Sequence, residues 1–180
     1  MTKALVPLAD GVEEMEAVII IDTLRRAGWE VVSASVSGST ITASRGIKLV
    51  PDTLWEKINP AHFDVLVLPG GAKGTSTLSS DKRVLETVRS FVKSNKIVAA
   101  ICAAPLVLQV AGVLDNKKAT CHPAVRNQLK SCEMSDERVV MDGSIITSRG
   151  PGTSFEFALA IIRHVDGDTA ANKVAEGLVL

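Results

Sequence analysis

The chain has 180 residues and a mass of 19.0 kDa, which suits one domain, expected to span 1–180, around one hydrophobic core. Its 20 basic and 20 acidic residues cancel, so no overall field draws it to nucleic acid or to an anionic membrane. Aromatics are 3% with no tyrosine, which disfavours base stacking as well, and nucleic acid is not expected as the main partner.

The opening MTKALVPLAD enters an apolar strand at once and has no signal-peptide layout. KALVPL (3–8) reads as a strand, and a helix follows from about Glu13 to Ala27, stopped by Gly28. WEVVSAS (29–35) and the shorter GIKLVP (46–51) read as strands. HFDVLVLP (62–69) is nearly all apolar after Asp64, as a parallel strand covered on both faces should be. A helix is expected from about Asp81 to Lys93, then a strand at KIVAAI (96–101) and a helix from about Ala103 to Ala111. The run at 97–114 is long enough to suggest a membrane span. Pro105 and Gln109 interrupt it, and a buried strand followed by a buried helix explains it better. RVVMDGSIITS (138–148) reads as a strand pair around Asp142-Gly143. Thr153 and Glu156 have capping-box spacing at the head of a helix to Arg163, and a last helix runs from about Asp168 to Gly177. Such alternation predicts an open, mostly parallel sheet with helices on both faces, and ligands bind beyond the carboxyl ends of such strands.

Three cysteines, Cys102, Cys121 and Cys132, form an odd set with no C-x-x-C pair. This argues against a secreted disulfide scaffold and for a reducing, cytoplasmic setting. Cys121-His122 offers two adjacent ligand types where zinc takes four, so no metal is expected. Cys102 lies between an apolar strand and an apolar helix with small neighbours, a layout similar to a nucleophile elbow. Amides at the start of the next helix would stabilise a thiolate and lower its pKa below that of a free thiol. An inert buried cysteine is the equal alternative.

Gly70-Gly71 lets backbone amides approach an oxyanion, although a plain turn explains the pair too. Glu13, Glu14 and Glu16 suit a first helical turn for dipole reasons alone. One of them, if turned inward beside Cys102, would hold a proton, because desolvation raises a carboxyl pKa. His122, in a loop after the Cys102 helix, is either a proton shuttle or an ordinary loop histidine. His62 and His164 are expected at the surface.

Taken together, ADGVEEMEAV with LRRAG, VLPGG, AAICAAP and ITSRGPGTSFEFALAI resemble the ThiJ/PfpI superfamily, in its branch of the Parkinson-disease protein deglycase. The match runs in order from near residue 4 to near 178, and its last stretch is highly specific. The resemblance implies a flavodoxin-like three-layer sandwich, a homodimer, and neither metal nor organic cofactor. By position it makes Cys102 the nucleophile, Glu16 a protonated partner and His122 a nearby histidine. It makes Gly71 and Ala103 backbone donors, and places Arg45 near the site at the dimer interface. It implies a glyoxalase or deglycase acting on dicarbonyls such as methylglyoxal or on glycated protein groups. The rival it carries is a sensor of oxidative stress or a chaperone working through Cys102 oxidation. A cysteine amidase or protease ranks last, because His164-Val165-Asp166 has the right residue types at a helix end with no reason to reach Cys102.

Overall fold

The computed structural model describes residues 1–180. β1 (Lys3–Leu8) leads into α1 (Glu14–Arg26), which ends before Gly28 in a left-handed conformation, φ +82°. β2 (Glu30–Ser35) follows, then a small hairpin of β3 (Ile41–Thr42) and β4 (Lys48–Leu49), then β5 (Thr53–Leu54). β6 (Val65–Leu68) is succeeded by α2 (Ala72–Ser80) and α3 (Lys82–Lys93), and β7 (Ile97–Ile101) by α4 (Pro105–Ala111). A short ribbon pairs β8 (Lys118–Ala119) with β9 (Glu133–Met134). β10 (Val139–Asp142) and β11 (Ile145–Ser148) turn at Gly143, and α5 (Ser154–Asp166) and α6 (Asp168–Gly177) close the chain.

Seven strands form the main sheet in the order β10-β11-β7-β6-β1-β2-β5, and only the β10–β11 pairing is antiparallel. Strand alternation sends neighbours to opposite layers. Leu66 and Leu68 join Leu78, Val88, Phe91 and Leu108 from α2, α3 and α4 on one face. Val65 and Val67 join Ile20, Leu24, Phe157 and Ile161 from α1 and α5 on the other. Because helices cover both faces, β6 is apolar throughout, and the three-layer sandwich is the expected architecture. The 97–114 run divides into β7 and α4, and no helix is long and apolar enough to cross a membrane.

Four local expectations change. The 46–51 run pairs only at Lys48–Leu49, outside the main sheet, and its Ile47 and Val50 are exposed. α2 has no apolar period in sequence. It forms because Gly74 sits against Val12 while Thr75 and Leu78 are buried. α4 starts at Pro105 rather than Ala103, since Cys102 is left-handed and proline pre-sets the first helical φ. The Thr153–Glu156 capping box is not made. Thr153 Oγ1 donates to Gly150 O at 2.9 Å, and Glu156 pairs with Arg138 at 2.7 Å.

Candidate active site

Cys102 follows the last residue of β7 with φ +64°, in the left-handed region that non-glycine residues rarely occupy. Such strain persists only where neighbours over-determine it. Here the Cys102 N–H donates to Ser148 O at 3.0 Å, and Cys102 O accepts the His122 N–H at 2.8 Å. The side chain is half-buried in a pocket of about 660 Å³ beyond the carboxyl ends of β1, β6 and β7. Gly71, Ala103, Arg45 and His122 line the same pocket, so four of the expected residues gather around the sulfur.

Glu16, in the first turn of α1, is fully buried beside them. Its Oε2 accepts the Gly70 N–H at 2.7 Å. Its Oε1 is buried without a hydrogen-bond partner, and the Cys102 thiol is the side chain that bears on the carboxyl. Burial pushes Glu16 up to about 7, against the pull of the Gly70 amide and of Cys102.

The thiol departs from its expected direction. Burial, then the charge of Glu16 and its hydrogen bond, push Cys102 up to about 12, although the Gly71 and Ala103 amides draw it down. No helix starts at Cys102 to lower it, and an ionised neighbour raises it. The two groups therefore share one proton, with the first lost near 7 and the second near 12. A neutral Oε1–H donating to a thiolate would also satisfy the otherwise orphaned oxygen.

His122 Nδ1 accepts the Ala124 N–H at 3.1 Å, which places the ring proton on Nε2. The ring is thereby set up to donate rather than to accept. His62 and His164 are exposed and lie outside the pocket, and Asp166 accepts the Trp29 indole N–H at 2.5 Å. The amidase constellation is not assembled. No group of three or more His, Cys, Asp or Glu side chains comes together as a metal site.

Sequence reasoning missed Gly70, whose amide holds Glu16 and whose Cα admits no side chain. An added Cβ would stand 2.6 Å from Cys102 Cβ and 2.8 Å from Glu16 Oε2. The Gly-Gly pair after an apolar strand was the available signal. Lys73, Asp10 and Ser44 also line the pocket without any local mark in the sequence. Gly71 is more constrained still, with φ +92° and a would-be Cβ 2.2 Å from Gly11 O. Gly71→Ala is expected to destabilise the fold by about 2 to 4 kcal/mol, since backbone must move to admit the methyl group. An unchanged urea midpoint would contradict this packing.

Residues 2–164 match the model of the DJ-1/PfpI family. Protein dj-1beta of Drosophila melanogaster is 42% identical over 180 residues, covering 98% of this chain and 96% of that protein. Its crystal structure superposes with a TM-score of 0.96, covering 99% of this chain and 98% of that one. Protein DJ-1 homolog B of Arabidopsis thaliana is 47% identical over 91% of this chain, which spans only 38% of that longer protein. A Caenorhabditis elegans relative, 34% identical over 98% of this chain and 94% of its own, is named glutathione-independent glyoxalase DJR-1.2. With the family model spanning most of the sequence and the fold shared across nearly its whole length, the chain belongs to the DJ-1/PfpI family.

Proposed function

We propose that the protein is a cofactor-independent cysteine enzyme that converts 2-oxoaldehydes such as methylglyoxal to 2-hydroxy acids. Release of the same groups from early protein adducts would follow the same route. The observation that carries this reading is the Cys102–Glu16 pair, which holds one proton at a pocket end beside two amide donors. The nematode relative's name supports the reaction class.

The Cys102 thiolate adds to the aldehyde carbon, and the resulting oxyanion, held by the Gly71 and Ala103 amides, takes the proton of Glu16. The Glu16 carboxylate then removes the hydrogen from that carbon and delivers it to the adjacent one through an enediol. The hydroxyl proton passes between the two oxygens, leaving a thioester of the 2-hydroxy acid. Water cleaves the thioester, returning thiolate and protonated Glu16. No electrons leave or enter, so no redox cofactor is required. The test is lactate formation from methylglyoxal by metal-free protein, set against Cys102→Ala.

A second reading, oxidation sensing, draws on the unpartnered Oε1. A neutral carboxyl there would donate a hydrogen bond to a Cys102 sulfinate more strongly than to a thiol.

The protein is further proposed to work as a cytoplasmic homodimer. Val18 on α1 and Val50 beside the hairpin line one groove and are 51% and 79% exposed, with Met15 and Ile47 each 55% exposed. A contiguous apolar surface of this kind is a self-association face. Sedimentation should show a two-chain species at micromolar concentration, reverting to 19.0 kDa in Val18→Asp/Val50→Asp. A wild-type chain sedimenting only at 19.0 kDa would refute the dimer.

A further inference from the structure

Glu14 is a buried acid that the proposed chemistry leaves unused. It opens α1, is 4% exposed, and takes part in no ion pair. Its two oxygens instead take donors from one turn. Oε1 accepts the Arg45 N–H at 2.8 Å, and Oε2 accepts the Ser44 hydroxyl at 2.7 Å. Burial pushes the carboxyl up, but the Ser44 hydroxyl and the amides of Glu14, Arg45 and Ile47 outweigh it and hold Glu14 below the usual range. An ionised carboxylate therefore persists at neutral pH, buried and balanced by hydrogen bonds alone.

The turn that it holds joins β3 to β4 and is the pocket wall. Ala43, Ser44 and Arg45 all line the cavity above Cys102. Ser44 Oγ also lies 2.8 Å from Glu13 Oε2, on the pocket side, and one hydroxyl proton serves only one of the two acceptors. The Arg45 side chain is exposed and forms no ion pair, so its placement depends on where its backbone is pinned.

We infer that Glu14 is a positioning residue, which pins the Ala43–Ile47 turn and so sets how Ser44 and Arg45 meet the part of a substrate that extends beyond the dicarbonyl. Its kinetic readout rests on the proposed function, while its structural readout does not. The probe is the hemithioacetal of methylglyoxal with N-acetylcysteine, an extended adduct that carries a carboxylate. In Glu14→Ala, KM for this adduct should rise about tenfold with kcat within about twofold, because the sulfur and Glu16 are untouched. Glu14→Gln keeps an acceptor for the Arg45 N–H and should rise only about threefold.

Amide hydrogen exchange at Arg45 and Ile47 should quicken about tenfold in Glu14→Ala, and far less in Glu14→Gln, with β6 and β7 unaffected. Unchanged KM and unchanged exchange would overturn the inference. So would a fall in kcat at constant KM, which would put Glu14 in the chemistry. If the wild-type chain turns over no dicarbonyl, the functional reading fails alone, and exchange still decides the role of Glu14. Should Glu14→Ala not fold, exchange in Glu14→Gln and Ser44→Ala decides: faster exchange at Arg45 in Ser44→Ala supports the pin, and an unchanged rate removes it.

Discussion

Cys102→Ser should reduce methylglyoxal turnover by at least about a thousandfold, while Cys121→Ser and Cys132→Ser retain it. A serine hydroxyl at this position has no accessible anion near neutral pH, whereas the Cys102–Glu16 pair loses its first proton near 7. The other two thiols lack both the geometry and the charge. Cys121 is 3% exposed, and burial pushes it up to about 11 even though Arg126 and Arg149 pull it down. Cys132 is also raised by burial, and neither residue lines the Cys102 pocket. Lactate assays on the three purified variants decide the matter. Loss of turnover in Cys121→Ser with activity kept in Cys102→Ser would assign the nucleophile elsewhere.

Glu16→Gln separates the proton from its carrier. The amide oxygen can still accept the Gly70 N–H that now reaches Oε2 at 2.7 Å, so the helix start should hold its place. The charge that raises Cys102 disappears while the Gly71 and Ala103 amides remain, so thiolate should form well below the wild-type second step near 12. Turnover should nevertheless fall by about a hundredfold or more, because glutamine cannot carry hydrogen between carbons. Thiolate absorbance against pH, paired with lactate formation, tests both halves. Wild-type turnover in this variant would leave His122 as the relay, and the ring would first have to release the Ala124 N–H from Nδ1.

The same substitution has a pH signature in stability. Glu16 is raised in the folded state from 4.5 to about 7, so its contribution is fully present below 4.5 and is lost as pH rises through 7. The loss is roughly 3 kcal/mol at most, taking 1.36 kcal/mol per pKa unit. Glu16→Gln has no such group. Its stability relative to wild type should therefore climb between pH 4.5 and pH 8, and chemical denaturation at the two pH values would show a parallel pair of midpoints if Glu16 were not desolvated.

What the sequence determined by itself was the order of elements and the location of the reactive thiol. Continuous apolar runs such as Val65–Leu68 and Ile97–Ile101 demand cover on both faces, so the layered sheet was legible from hydrophobicity alone. Small residues around Cys102, the Gly70-Gly71 pair and the acidic opening of α1 marked the strand ends that form the pocket. Local pattern was silent wherever a contact spans the chain. The α2 helix exists because Gly74 and Leu78 find a surface to pack on, and the 46–51 run stays outside the sheet because its apolar side chains face outward. Which of Glu13, Glu14 and Glu16 turns inward to the thiol depends on the packing of α1, which buries Glu16 at the sheet end and hands Glu14 to a distant turn. The direction of the Cys102 shift was decided in the same way. A helix start would have lowered it, but the tertiary structure delays that helix to Pro105 and sets a buried carboxyl against the sulfur, and in a site removed from water the nearer charge prevails.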